Sequence, residues 1–146
     1  MIRIEQPYDE ATGRPIPRRT PTSAPYFEAA REGRLSLQKC PRDGFFFYPR
    51  AACPECLGDD WSWADVSGHG TVYSYTVERM GLDPAQRSQL PLVVAIVELD
   101  EGPRMTSNIV GCPPEEVSVG QAVQVAFEDL GGETLIHFEP ADSEPT

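Results

Sequence analysis

Three of the four cysteines lie in one short stretch, and their spacing is the feature that most constrains the fold. Cys53 and Cys56 form a Cys-x-x-Cys motif, and twelve residues separate it from Cys40. This spacing is typical of the two knuckles that hold zinc in a ribbon. The first knuckle is incomplete, because Asp43, a harder oxygen ligand, stands where its second thiolate would be. We therefore predict a zinc ribbon with ligands Cys40, Cys53 and Cys56 and with Asp43 as a candidate fourth; a metal-free ribbon is the alternative.

Other roles for these cysteines stay open at this point. Cys53 and Cys56 alone would suit a redox pair, but such pairs lie where a strand meets a helix, whereas proline and glycine surround this one. A disulfide from Cys40 is disfavoured, because the chain starts without the features of a secretion signal. We expect a cytoplasmic protein. Cys112, far from the motif, is expected to be a small buried residue and not a ligand.

Composition and charge argue against two classes of partner. The longest apolar run, around residues 90–97, has the length of a strand, so no membrane-spanning helix is expected. Residues 1–50 carry nine basic and six acidic side chains, a net charge of +3, whereas residues 51–146 carry three and seventeen, a net charge of −14. The acidic part would repel a phosphate backbone, which disfavours nucleic acid. Eleven of the twelve basic residues are arginine, a hint of a GC-rich bacterial genome.

A short helix is predicted from Ala24 to Glu32. Ser23 stands where an N-cap would accept the first backbone N–H groups. Tyr26 and Phe27 give the helix an apolar face. Because so short a helix is marginally stable on its own, this face must pack against another part of the protein or against a partner. The face packs either on the chain's own ribbon or on a partner protein, and both alternatives stay open.

The rest of the chain shows the period-2 alternation of β-strands. Gly68-His69-Gly70 is predicted to form a turn or bulge, and residues 81–91 a polar loop. The predicted strands span residues 35–39, 45–48, 61–65, 71–80, 92–99, 104–110, 122–127 and 134–138. The last five strands, with a break between the third and fourth, match the needs of a five-stranded OB-fold barrel.

The fold class expected is mainly β, with a short N-terminal helix, a rubredoxin-like zinc ribbon and an OB-fold barrel. The expected organisation is an extended arm over 1–22, the helix and ribbon over 23–64, the barrel over 65–140 and an acidic tail over 141–146.

A set of sequence segments carries a more specific signal than these periods. The chain resembles the acyl-CoA-associated OB-fold family with an N-terminal rubredoxin-like zinc ribbon. The resemblance lies in five segments, which occur in this order: APYFEAAREGRLSLQKC, FYPRAACPEC, SGHGTVYSYTV, PLVVAIVELDEGPRMTSNIVG and VGQAVQVAFED. The similarity covers roughly residues 23–140. The resemblance implies an accessory subunit or domain that works beside a thiolase-superfamily enzyme or a MaoC-like enoyl-CoA hydratase. It also implies cysteine ligands to zinc, from which Asp43 departs.

A partner that acts on CoA thioesters would require cationic groups for the phosphates and an apolar slot for the pantetheine arm. Arg42 and Arg50, beside the aromatic run Phe45 to Tyr48, could offer both. Solvated surface or a salt bridge within the ribbon is the alternative for the two arginines. The predicted contacts with acyl-CoA or a partner are Tyr26, Phe27, Arg42, Phe45, Phe46, Phe47, Tyr48 and Arg50.

No familiar catalytic constellation is visible in the sequence. His69 and His137 are the only histidines, and neither lies in a nucleophile, metalloprotease or phosphate-loop motif. We therefore expect no catalysis by this chain alone. The favoured hypothesis is a noncatalytic subunit of a thiolase-like lyase, aldolase or acyltransferase that acts on acyl-CoA, in steroid or fatty-acyl side-chain degradation. The alternatives are a stand-alone acyl-CoA-binding module and, less favoured, a nucleic-acid-binding OB protein.

Overall fold

The computed structural model describes residues 5–141, which form a three-stranded sheet and a closed five-stranded barrel. Helix α1 spans Ala24–Arg31 and is followed by the sheet strands β1 (Ser36–Cys40), β2 (Gly44–Phe46) and β3 (Ser62–Asp65). The barrel strands are β4 (His69–Glu78), β5 (Leu92–Leu99), β6 (Arg104–Ile109), β7 (Ala122–Leu130) and β8 (Glu133–Pro140). The predicted fold class is therefore confirmed. Within residues 5–141, no helix is long and apolar enough to cross a bilayer.

The small sheet places β1 between β2 and β3, antiparallel to both. Cys40 ends β1 and pairs with Gly44, so the tight connection between β1 and β2 carries the first half of the predicted metal site. β1 belongs to two environments. Leu37 packs in the main core with the barrel, whereas Cys40 packs in a separate small core.

The barrel has the strand order β4-β5-β6-β8-β7 and closes through pairing of β4 with β7. On β5 the side chains of Val93, Ala95, Val97 and Leu99 are all buried and alternate with more exposed neighbours. This alternation points one face of the strand into the barrel, as the sequence period predicts. β6 and β8 pair in parallel through Ile109, which follows the topology of an OB fold.

Three local predictions are wrong. The turn predicted over Gly68-His69-Gly70 is confined to Gly68, a bend with a φ of 81°, whereas His69 and Gly70 lie inside β4 and Gly70 pairs with both β5 and β7. The predicted loop after β4 contains a short helix, α2 (Pro84–Arg87), whose N-cap is Asp83. Ser23 does not cap α1 with its side chain, because its hydroxyl oxygen accepts a hydrogen bond from the backbone N–H of Thr20 instead.

The described part of the arm, residues 5–22, is docked on the barrel. Arg14 pairs with Glu128 of β7. Arg19 pairs with Glu28 of α1 and, at 2.6 Å, with Glu133 of β8. These ion pairs join the arm to the helix and to one barrel edge. The predicted tail lies outside the described residues except for residue 141, as do residues 1–4 of the arm.

Candidate metal centre and neighbouring surface

The four predicted metal ligands come together at one end of the small sheet. One ligand atom from each of Cys40, Asp43, Cys53 and Cys56 lies within 4.8 Å of every other. Cys40 Sγ is 3.6 Å from Cys56 Sγ and 3.6 Å from Asp43 Oδ2, and Cys53 Sγ is 3.5 Å from the same oxygen. Cys40 and Cys53 are buried, whereas Asp43 and Cys56 face solvent. The chain therefore presents three sulfurs and one carboxylate oxygen to a common point.

These separations suit a tetrahedral zinc ion. Zinc–sulfur bonds of about 2.3 Å and zinc–oxygen bonds of about 2.1 Å require ligand atoms roughly 3.6 to 3.8 Å apart. The measured separations of 3.5 and 3.6 Å are close to that requirement. When bound, such an ion crosslinks the ribbon, and the four residues that would hold it are those of this cluster.

Arg42 lies beside the cluster and is held by one carboxylate, that of Asp60, and by the sulfur of Cys56. Its guanidinium donates hydrogen bonds to Asp60 at 2.5 and 2.9 Å and lies 3.3 Å from Cys56 Sγ. The hydrogen bonds that the guanidinium donates lower the pKa of the Cys56 thiol and that of the Asp60 carboxyl. Arg42 was predicted to contact acyl-CoA or a partner, with a ribbon salt bridge as the alternative. The structure contains that salt bridge.

The aromatic run divides between the two cores and the surface. Phe46 is 7% exposed because it packs against Cys40 and Cys53, and this burial removes it from the predicted contact surface. Phe45 packs against the main core and lies under the ammonium group of Lys39. Tyr48 is half exposed. The prediction that at least one of these side chains reaches outward is confirmed.

Tyr26 and Phe27 of α1 join Phe47 and Tyr48 in a continuous group, which we call the aromatic strip. Neighbouring rings along it have centroids 5.2, 5.7 and 4.1 Å apart. The Tyr48 hydroxyl accepts a weak hydrogen bond of 3.4 Å from the backbone N–H of Thr106 in β6. The strip therefore links the helix, the ribbon and the barrel, and Tyr48 is its most exposed member.

Polar contacts fix the backbone under the aromatic strip. Arg50 donates hydrogen bonds to the carbonyl oxygens of Phe47 and Tyr48. The buried amide of Gln38 donates a hydrogen bond to the carbonyl oxygen of Arg50 and accepts one from the N–H of Arg50.

A cleft of about 300 Å³ opens next to the strip, between α1 and strands β6 and β8. An apolar surface with a fixed backbone and an adjacent cleft suits a protein or acyl-CoA contact.

The two histidines differ in environment. His69 is exposed at the start of β4, whereas His137 of β8 is buried and its Nε2 lies 3.3 Å from Glu128 Oε2. The same Glu128 carboxylate also pairs with Arg14. The sequence placed His137 in the last strand without indicating its burial or its carboxylate partner. Cys112 packs partly buried against the main core, apart from the metal cluster.

Comparison with known proteins agrees with this division into ribbon and barrel. Residues 27–62 match the family described as "ChsH2, rubredoxin-like zinc ribbon domain", and residues 63–128 match "ChsH2, C-terminal OB-fold domain". A "DUF35 domain-containing scaffold protein" of Methanothermobacter thermautotrophicus is 39% identical over 66% of this chain and 73% of its own. The chain belongs to the ChsH2 (DUF35) family. The zinc ribbon description and the observed cluster both point to zinc binding.

Other relatives place ChsH2-family segments inside longer subunits. A "Probable enoyl-CoA hydratase alpha subunit" of Thermomonospora curvata is 38% identical over 88% of this chain. A "3-oxo-4,17-pregnadiene-20-carboxyl-CoA hydratase alpha subunit" of Mycobacterium tuberculosis is 36% identical over 51% of this chain. The matches cover only 40% and 23% of those two proteins.

A solved structure matches at closer to full length. A chain of the "Ltp2-ChsH2(DUF35) aldolase" superposes with a TM-score of 0.75 at 35% sequence identity. The match covers 86% of this ChsH2-family chain and 98% of that chain. The similarity therefore spans both the ribbon and the barrel.

Proposed function

We propose that this chain is a noncatalytic accessory subunit of an acyl-CoA-processing enzyme, and that its partner is a thiolase-superfamily aldolase, lyase or acyltransferase. The observation that carries the proposal is the match to 98% of a chain in the solved Ltp2-ChsH2(DUF35) aldolase, whose name joins ChsH2 to a second protein, Ltp2. In this arrangement the partner supplies the nucleophile and the acid–base groups, while this chain supports the acyl-CoA site.

The aromatic strip is the surface that we assign to this contact. Interface centres are rich in tyrosine and phenylalanine, and Tyr48 offers a half-exposed ring whose backbone Arg50 holds in place. The cleft next to the strip is lined by both apolar and polar side chains, which suits a pantetheine arm with its alternating methylene and amide groups.

A MaoC-like enoyl-CoA hydratase is the second candidate partner. It is favoured by two relatives that are named as hydratase alpha subunits, one of them for a steroid-derived CoA thioester. That name also supports a steroid side chain as the acyl group for either partner.

Copurification tests the proposal directly. The tagged chain would be expressed with its neighbouring open reading frames and washed at high salt, and the retained proteins would be identified by mass spectrometry. We expect a thiolase-like protein that cleaves acyl-CoA only when this chain is present. A retained hydratase that adds water to enoyl-CoA would favour the second candidate. A chain that is recovered alone and binds CoA esters tightly would support the stand-alone module and contradict the subunit.

A matched pair of variants tests the surface. Tyr48→Ala should weaken partner retention about tenfold or more, because truncating a central aromatic anchor removes a large share of binding energy. Tyr8→Ala, a tyrosine of the arm that is 58% exposed against 50% for Tyr48, should leave retention unchanged. Equal retention by the two variants would place the partner elsewhere on the molecule.

A further inference from the structure

The aromatic strip is too small to form a stable interface by itself. Tyr48 is half exposed, and Tyr26, Phe27 and Phe47 are partly buried within the chain. Because an aromatic side chain can bury about 150 to 250 Å², the four rings together offer a partner less than about 400 Å². A stable interface needs roughly 800 Å² from each protein. A partner that contacts the strip must therefore extend onto a neighbouring surface.

Charge distinguishes the two ends of the strip. Next to Phe27, Arg19 pairs with two glutamates, and its guanidinium lies 5.9 Å from the centre of the phenylalanine ring. Next to Tyr48, the barrel presents Thr106, whose backbone N–H donates the hydrogen bond to the Tyr48 hydroxyl. The centres of protein interfaces are depleted of charged side chains. We therefore expect a partner to extend from Tyr48 over the barrel, and not past Phe27 over the ion pairs.

The barrel surface beside Tyr48 is the outer face of β4, β5 and β6. Ile96 on β5 is 37% exposed, whereas Ala95 and Val97 on either side of it are buried, so Ile96 points outward. The strand register aligns two rows of side chains on this face, Ser74-Ile96-Thr106 and Thr76-Val94-Asn108. We call these two rows the sheet face. No member of either row carries a charge, and a cleft of about 300 Å³ opens along them.

A β-bulge places an aromatic ring at the edge of the sheet face. The register of β4 against β5 shifts between Val72 and Ser74, so Tyr73 is an extra residue without a cross-strand partner. Bulges of this kind redirect side chains. The centre of the Tyr73 ring lies 3.7 Å from the guanidinium carbon of Arg104, and Glu98 pairs with the same guanidinium. The stacked ion pair therefore holds a half-exposed tyrosine beside the uncharged rows.

We infer that the sheet face forms the main part of the contact with the partner enzyme, and that Ile96 and Tyr73 are its anchors. The inference rests on the proposed function, because the occupant is the enzyme subunit proposed there. That subunit contributes an uncharged, largely apolar patch. The pair of Arg104 and Glu98 lies at the rim, where interfaces are polar. Since little charge is buried, the complex should keep its affinity at high salt.

A matched pair of charge substitutions tests the inference. Ile96→Glu places an unpaired carboxylate in the sheet face, and Phe127→Glu places one on β7, which pairs with neither β5 nor β6. The two natural side chains are 37% and 36% exposed, so the substitutions start from equally exposed apolar positions. The tagged full chain is coexpressed with its neighbouring open reading frames. The retained enzyme is then quantified at about 0.1 M and about 1 M salt.

We expect Ile96→Glu to lower the amount of retained enzyme about tenfold or more at both salt concentrations, because burying an unpaired carboxylate is costly. Phe127→Glu should stay within about twofold of the natural chain. Circular dichroism checks the fold of each variant. Tyr73→Ala, which adds no charge to the barrel, should lower retention about threefold or more, and it decides the question if Ile96→Glu does not fold. Tyr8→Ala is the control for the tyrosine.

Three outcomes would overturn the inference. A natural chain that retains the enzyme as well as folded Ile96→Glu does would overturn it alone and leave the proposed function intact. A natural chain that retains no enzyme would overturn both. A dimer of the natural chain, seen by light scattering, that Ile96→Glu converts to a monomer would assign the sheet face to a second copy of this chain.

Discussion

At the scale of single residues, His137 makes stability depend on pH. It is 7% exposed, and burial lowers its pKa, while Glu128 opposes the shift. The unfolded chain therefore binds a proton more readily than the folded one. The contribution of His137 to stability is fully present above the pKa of about 6.5 that a histidine has in the unfolded chain. It is lost as the pH falls from there through the lowered pKa of the folded chain, with a slope of at most about 1.4 kcal/mol per pH unit. His137→Gln should flatten this slope in denaturant unfolding between about pH 7.5 and 5.5.

His69→Gln is the control for this measurement, because His69 is exposed. It should keep the natural slope. Glu28 and Asp60 also have lowered pKa values, set mainly by Arg19 and Arg42, but carboxyl groups lose that stabilisation only below about pH 4.5, outside this window. A natural slope that persists in His137→Gln would show that another group titrates.

At the scale of elements, the strands could be predicted from local sequence patterns, whereas close approaches between strands could not. The alternation of Val93, Ala95 and Val97 predicted β5, because burial on one face repeats every second residue. The Gly-His-Gly pattern predicts a turn or bulge that includes Gly70. Its real constraint is the closing barrel, where β5 and β7 approach it from both sides, and no local signal reports such contacts. The helix α2 was also missed, although Asp83-Pro84 is a typical helix start.

Gly70 gives a test of this explanation. A methyl group added there would lie 2.5 Å from the backbone carbonyl oxygen of Glu98 and 3.0 Å from a methyl group of Val97. Because backbone cannot move aside cheaply, Gly70→Ala should lower the free energy of unfolding by about 1 to 3 kcal/mol. Ser74→Ala, an exposed position on the same strand, should change it by less than about 0.5 kcal/mol. Similar denaturation midpoints for both variants would mean that the barrel closes less tightly than described.

At the scale of the whole molecule, the sequence predicted a ribbon and a barrel and singled out the four side chains that cluster, but not how the parts are joined. The aromatic run was expected near the ribbon, yet its link to Thr106 of β6 depends on packing between units. The docking position of the arm could not be predicted from the sequence, because the ion pairs of Arg14 with β7 and of Arg19 with β8 join residues more than a hundred positions apart. Contacts of this kind follow from the assembled shape, which no short pattern encodes.

The two cores predict how the molecule responds to metal removal. Among residues 5–141, the core beside the metal cluster contains three buried side chains, Cys40, Phe46 and Cys53, whereas the main core contains twelve. Three side chains bury too little apolar surface to hold the knuckles, so zinc must supply much of their stability. A chelator should therefore disorder the two knuckles, around Cys40 and around Cys53, and leave the barrel folded. Trp61 reports the change, because it packs on the small core and its indole N–H bonds the carbonyl of Ala51.

The measurement combines two readouts on protein whose zinc content has been established by elemental analysis. Trp61 emission is recorded in a Trp63→Phe background, since these are the only two tryptophans in the chain. Hydrogen exchange should accelerate in the knuckles while β5 stays protected, because local opening depends on local contacts. Loss of protection in both regions together would show one cooperative unit. A zinc content near zero in folded protein would show that zinc does not stabilise the ribbon. The knuckles would then be held by the small core and by the contacts of Asp43 with the thiol groups.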